Sequence, residues 1–352
     1  MIPPGRRLRA EKMNKAVLLS PYLSLVAPCY NEAEGLPEFF RRAAAACRAA
    51  ADEDYEIVLV NDGSEDESWA AMRALCAQDP HLTVVNLSRN HGHQLALSAG
   101  LKLCRGERIL IIDADLQDPP ELLGGMMTLM DNADADVVYG QRRRREGETP
   151  FKSLTAKWFY RLLRRLIDID IPLDTGDFRL MSRRCLDVLN AMPEHHRFIR
   201  GMVSWIGMRQ VPFPYDRDAR FAGSTKYSLS KMIRFALDAI TGFSVVPLRV
   251  ASGLGLLLGI VGLLMLSYTF GSWAFGHVVD GWTSITTIIL IIGSSQLLVL
   301  GVMGEYVGRL YMESKRRPLF VIESVLGGRS AAIEPARPGK PAQTALAARH
   351  RT

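Results

Sequence analysis

Two carboxylates, Asp113 and Asp115, stand two residues apart between an apolar run, Ile109–Ile112, and the segment Pro119-Pro120-Glu121. A strand end fixes the backbone beneath such a pair, so both can face one hard divalent cation, Mg2+ or Mn2+. The other positions of that cation go to water and diphosphate oxygens. A cation held this way neutralises charge building on a departing nucleoside diphosphate. A bare D-x-D also occurs in solvated loops; its setting between an apolar run and Pro-Pro-Glu favours the chemical reading. Val60-Asn61-Asp62-Gly63-Ser64-Glu65-Asp66 closes a second run. There Asp62 can accept from the N–H of a base such as uracil, and Gly63 permits a tight exit. The same residues also suit a helix N-cap followed by an acidic first turn. Pro28-Cys29-Tyr30-Asn31-Glu32 closes the first run and can set Tyr30 and Glu32 against the same nucleoside.

Cations come later in the chain. Arg142 ends an extended run, and Lys152 opens a basic amphipathic stretch; both suit a phosphate held near a membrane surface. Arg220 and Lys226 bracket a Gly223-Ser224 turn, which suits a loop closing on diphosphate. Asp177, in Thr175-Gly-Asp-Phe-Arg179, is a third carboxylate expected near the substrate. His91 and His93 flank Gly92 but lack a third ligand in register, so a loop role is expected for them. His195-His196 carries no readable chemistry.

Positioning these groups requires a rigid frame. Short β-rich runs (Leu23–Ala27, Glu56–Asn61, Leu82–Leu87, Arg108–Asp113, Asp136–Gly140) alternate with helical stretches (Gly35–Ala51, Asp66–Gln78, Gln94–Cys104, Pro120–Asn132). That alternation predicts an α/β domain with a parallel sheet and helices on both faces. Ligands in such sheets lie at the carboxyl ends of the strands, where the polar clusters fall.

The 352 residues carry a net charge of +6, with a mean hydropathy of +0.05 and a pI near 9.1. A watery domain plus a few spans fits these values. The basic residues crowd into Arg142–Arg145, Lys152–Arg165 and Lys315–Arg317, which suits membrane apposition and not a nucleic-acid groove. The segment 151–167 sets Trp158, Phe159 and leucines on one face and Lys157, Arg161, Arg164 and Arg165 on the other, the pattern of an interfacial helix. A second such helix, 229–243, leads into two uncharged runs, Val250–Phe270 and Thr283–Val302, each of spanning length. Arg249 precedes them and Arg309, Lys315, Arg316 and Arg317 follow, while the link Gly271–Trp282 has no Lys or Arg. The positive-inside rule then puts both flanks and the domain that precedes them in the cytoplasm, with the membrane crossed twice. Gly253, Gly255 and Gly259 lie in the first run and predict close helix packing, which suggests a homo-oligomer. Five scattered cysteines form no metal spacing and predict reduced thiols. The basic N-terminus, Arg6 to Lys12, lacks the apolar core of a signal peptide, and Met13 is an alternative start.

The motifs P-x-Y-N-E, N-D-G-S-x-D, S-R-N-x-G-H-Q, D-A-D-L-Q-D-P-P-E, Y-G-Q-R and R-F-A-G-S-T-K-Y together resemble the polyprenyl-phosphate branch of family 2 glycosyltransferases. That branch contains dolichyl-phosphate mannose synthases and bacterial bactoprenol glucosyltransferases, and the match runs from about Leu23 to Glu323. The resemblance implies a GT-A (Rossmann-like) fold and inversion at the anomeric carbon. It implies a nucleotide-sugar donor, UDP-glucose for preference, and a polyprenyl phosphate acceptor, undecaprenyl phosphate for preference. It further implies metal binding by Asp113, Asp115 and Gln117, and nucleoside binding by Pro28, Tyr30, Glu32 and Asp62. Asp115, Asp177 and Arg142 are the expected catalytic residues, with Asp113, Arg220 and Lys226 also on the nucleotide and Arg142 and Lys152 on the acceptor phosphate. Asn61 stands where many relatives carry Asp. The expected organisation is a basic tail (1–20), a catalytic domain (21–228), a juxtamembrane helix (229–243), two spans (244–310) and a cytoplasmic tail (311–352) disordered after about 328. Two other readings are a processive polysaccharide synthase, which would carry Q-x-x-R-W and more spans, and a membrane scaffold that has lost catalysis. Intact Asp62, Asp113 and Asp115 oppose the second.

Overall fold

The computed structural model describes residues 20–142, 175–216, 241, 244–275 and 281–327. Lys152, Arg220, Lys226, the expected interfacial helix 151–167 and all of 229–243 but Thr241 lie outside these residues, as do both expected tails before 20 and after 327.

Five strands and the intervening helices lie where the hydropathy pattern predicts, with bounds moved by a few residues. Strand β1 (Leu23–Cys29) is buried at every position, as befits a strand covered on both faces. Helix α1 (Leu36–Ala51) follows and sends Leu36, Phe39, Phe40, Ala43 and Cys47 into the core at helical spacing. Then come β2 (Tyr55–Asn61), α2 (Ser68–Cys76), β3 (Leu82–Leu87), α3 (His93–Leu103) and β4 (Arg108–Ile111). A 3-10 turn, Pro120–Leu122, leads into α4 (Leu123–Ala133) and β5 (Val137–Arg142). Strand β1 pairs in parallel with β2 and β4, and β2 with β3.

The sheet is mixed, which corrects the expectation of a purely parallel one. Strand β6 (Thr175–Ser182) lies between β4 and β5 and runs antiparallel to both. Its successive side chains serve opposite faces: Phe178 and Leu180 enter one core, Met181 the other. Strand β7 (Gln210–Tyr215) forms one edge, where Pro212 and Pro214 withhold ladder donors. Helices α1, α2 and α4 cover one face, and α3, α5 (Arg183–Ala191) and α6 (Ile199–Ile206) the other.

Two apolar helices, α7 (Val246–Ala274) and α8 (Trp282–Ser314), follow the sheet. Within them Val246–Tyr268 and Ile291–Ser314 are long and apolar enough to cross a membrane. With 33 residues, α8 is about 50 Å long, half as long again as a bilayer core requires. Its last turns are polar and meet the sheet domain: Glu313 accepts from the His195 backbone N–H at 2.7 Å and lies 2.9 Å from His195 Nδ1. That contact raises the His195 pKa and gives this residue a structural task that its sequence context did not reveal. The chain then returns to the sheet as β8 (Ile322–Gly327), antiparallel to β3 at the other edge. The C-terminal end of the helical pair is therefore anchored to the sheet domain. A Cβ at Gly255 or Gly259 would meet no atom among the described residues, so that face of α7 is open.

Candidate active site

The carboxyl ends of β1, β2, β3 and β4, with the start of β6, converge on one region. After β1, Asn31 adopts φ +56° and its Oδ1 accepts from the Glu65 N–H, while its own N–H donates to Ser64 Oγ. The Glu32 N–H donates to Ser68 Oγ at 2.9 Å. These bonds zip the loop after β1 to the loop after β2 and leave the Tyr30 ring 42% exposed between them, available for stacking on a base. Pro28 is buried within β1.

Asp62 is buried, and both of its oxygens are engaged: Oδ1 accepts from the His91 N–H at 2.7 Å and Oδ2 from the Gly92 N–H at 2.9 Å. Each oxygen keeps a further lone pair, so contact with a base N–H is compatible with this clamp. Burial raises the Asp62 pKa, and the two backbone bonds oppose the rise. Gly63 is required here. It has φ +63°, and a Cβ on it would stand 2.4 Å from the backbone of Arg89 and Asn90.

Asp113 and Asp115 follow β4. The Asp115 Oδ1 accepts from the Gln117 N–H at 3.1 Å, closing a turn through Leu116, a buried leucine at φ +60°. A left-handed leucine is strained and persists only where packing imposes it. Here the core holds Leu116 down and fixes the carboxylates on either side. Asp113 Oδ1 is buried with no hydrogen-bond partner among the described residues. Burial pushes the Asp113 pKa up to about 6; His93 opposes the rise, while Asp177, Asp118 and Asp115 add to it. Hard oxygen donors, one of them buried without a hydrogen bond and crowded by three further carboxylates, fit a divalent cation. Among the described residues no three of His, Cys, Asp and Glu form a cage by themselves. A pair of carboxylates sharing the cation with substrate phosphates is the arrangement these residues fit.

Asp177 enters from β6 and is almost wholly buried. Arg200 Nε donates to its Oδ1 at 2.8 Å; Gln94 Nε2 donates to Oδ2 at 2.9 Å, with His93 Nε2 at 3.1 Å from the same oxygen. Burial alone would raise this carboxyl, but Arg200 and His93 outweigh it and hold Asp177 well below the usual range. Burial alone would lower His93, yet its bond to Asp177 and the charges of Asp113 and Asp177 raise it to about 9. Since His93 Nε2 is also 3.5 Å from Asp113 Oδ1, the imidazolium bridges the two carboxylates. Arg142 closes β5 beside this group. A Cβ on Gly176 would lie 2.9 Å from its Nη2, and its guanidinium bonds the Tyr215 phenol, which donates to Asp118.

The structure thus unites Asp113, Asp115 and Asp177, with Arg142 adjoining, and sets Tyr30, Glu32 and Asp62 on neighbouring loops. Gln117 contributes its backbone N–H to the Asp115 turn. His93, expected in a loop, is instead the first residue of α3 and part of the site. Gln94 and Arg200 were also missed. The G-H-Q motif was a usable signal for His93 and Gln94; nothing local marks Arg200, which lies 23 residues after Asp177. The five cysteines are free and four are buried, as expected of inert thiols.

The model of glycosyl transferase family 2 matches residues 24–189. The uncharacterized glycosyltransferase YkcC of Bacillus subtilis is 44% identical over 305 residues, 86% of this chain and 94% of that one. A prophage bactoprenol glucosyl transferase homolog of Escherichia coli is 37% identical over 86% of this chain and 99% of its own. The bactoprenol glucosyl transferase of Shigella phage SfV is 37% identical over 86% of this chain and 98% of its own.

Proposed function

This chain belongs to glycosyl transferase family 2, and on that premise we propose that it moves a sugar, with inversion, from a nucleoside diphosphate sugar to a polyprenyl phosphate. UDP-glucose and undecaprenyl phosphate are the preferred pair. The observation that carries this reading is the 37% identity to bactoprenol glucosyl transferases across nearly their whole length, apolar helices included. The sheet has the GT-A design, with the nucleotide side at the ends of β1 and β2 and the reacting side at the ends of β4 and β6. Tyr30, Glu32 and Asp62 hold the nucleoside, and Pro28 shapes the strand end beneath it. Asp113 and Asp115, with Gln117, would hold Mg2+ or Mn2+, which when bound offsets the charge on the diphosphate. Arg220 and Lys226 are the proposed cations for the same diphosphate.

The acceptor is a phosphate monoester with a second pKa of about 6, so it is largely dianionic at neutral pH. It needs delivery and partial neutralisation, for which Arg142 and Lys152 are the proposed cations. Asp177, saturated by Arg200, Gln94 and His93, keeps its charge and orients those groups.

Full-length protein assayed with a panel of nucleotide sugars should transfer glucose from UDP-glucose to undecaprenyl phosphate. No transfer from any donor would overturn the reading. Arg142→Ala and Lys152→Ala should each raise KM for the lipid roughly ten- to a hundredfold, the worth of a charged hydrogen bond. UDP affinity should hardly change; an equal loss there would show that these cations serve the donor.

Crossing an inner membrane as a hairpin puts the short link on the far side from the catalytic domain. Phe275, 82% exposed at the end of α7, tests this. An impermeant maleimide should label Phe275→Cys in intact cells and Ser324→Cys only after lysis, above the background of the five native thiols. Labelling of both from the same side would refute the topology.

A further inference from the structure

Strand β8 comes after the membrane helices, yet its first residues lie at the donor end of the sheet. We propose that Glu323 and Asn86 are positioning residues for the donor nucleotide, acting through Asn61 on the turn that carries Asp62. The inference rests on the donor reading above.

The pairing of β8 with β3 slips at this point. Asn86 opposes Ser324 but Leu87 opposes Ile322, so Glu323 is the extra residue of a bulge. Bulges re-aim a side chain, and this one turns the Glu323 carboxylate onto Asn86. Asn86 Nδ2 donates to Glu323 Oε2 at 2.7 Å. Asn61 Nδ2 donates to Asn86 Oδ1 at 2.7 Å, and Asn61 Oδ1 accepts from the Ser64 N–H at 3.2 Å. Ser64 Oγ in turn accepts from the Asn31 N–H, beside Tyr30. The series has one direction. A carboxylate only accepts, so it forces Asn86 to present its oxygen to Asn61, and Asn61 to present its own to the Asp62–Ser64 turn. Asn61 is buried and cannot exchange Asn86 for water without cost. The same segment braces the other side of the pocket: the Ser88 N–H donates to the Val321 carbonyl at 3.0 Å, close before His91 and Gly92, whose N–H groups Asp62 binds.

None of these residues reaches β4 or β6, so disturbing the series should loosen the nucleoside and spare the reacting groups. Glu323 is exposed, and its replacement leaves no hole in the core. Full-length wild type, Glu323→Ala, Glu323→Gln and Asn86→Ala would be compared by calorimetric UDP binding, UDP-glucose kinetics and thermal melting. Glu323→Ala and Asn86→Ala should raise the UDP Kd and the UDP-glucose KM roughly fivefold to tenfold, the range of one ordinary hydrogen bond. Their kcat and lipid KM should stay at wild-type values. Glu323→Gln should bind like wild type, because its amide oxygen still accepts from Asn86. Unchanged UDP affinity in both alanine variants, with wild type binding normally, would overturn this inference alone. So would a joint fall of kcat and melting temperature without a KM effect, the mark of a merely structural strand. Failure of wild type to bind UDP would overturn the donor reading and this inference with it.

Discussion

Asp115→Asn should lower turnover by about a hundred- to a thousandfold, the cost of removing one preorganised group that meets developing charge. The melting temperature should hold, because Asp115 is half-exposed on its loop and its amide oxygen can still accept from the Gln117 N–H. EDTA should silence the wild type, and Mg2+ or Mn2+ should restore it; full activity in EDTA would remove the metal from the scheme. Asp113→Asn offers a contrast. Its carboxyl is raised to about 6 by burial, so the folded state holds the proton more tightly than the unfolded chain. Ionisation at pH 7 therefore opposes folding. Asp113→Asn should be as inactive as Asp115→Asn, yet its metal-free form should melt above wild type. The site trades stability for a buried carboxylate.

Asp177→Asn should destabilise the fold by about 2 kcal/mol, since buried Asp177 loses its charged hydrogen bonds to Arg200 and His93, which are both partly open to water. The pH dependence of wild-type stability has two flanks here. Asp177 is depressed, so its contribution is present above the ordinary value of 3.8 and is lost as pH falls. His93 is raised, so its contribution is complete below 6.5 and is lost as pH climbs through about 9. Thermal melts of the metal-free protein should peak between these limits, and Asp177→Asn should flatten both flanks. Activity should behave differently. With a phosphate nucleophile there is no proton to abstract, so the wild-type rate should rise through about pH 6 with the phosphate. Asp177→Asn should lower the plateau and leave that midpoint in place. A midpoint that moves or vanishes in Asp177→Asn would make Asp177 a general base and sink this account.

The sequence by itself determined the strand–helix alternation, the two apolar helices and the loops that bear Asp62, Asp113 and Asp115. Those features are local: period-two and period-3.6 hydropathy, and polar residues at the end of an apolar run, are written within a dozen residues. The tertiary structure alone decided what depends on distant segments meeting. Strand β6 runs antiparallel between β4 and β5, a placement that depends on strands distant in sequence and is not written in its own composition. Ile322–Gly327 becomes an edge strand only because β3 offers it an open ladder, and its Glu323 is re-aimed by a bulge that exists only in the pairing. His93 reads as a loop residue until Asp177, 84 positions away, buries a carboxylate against it. Arg200 has no local mark at all. Charge pairing in a low-dielectric site acts through space, so such partners become legible only when the chain has folded.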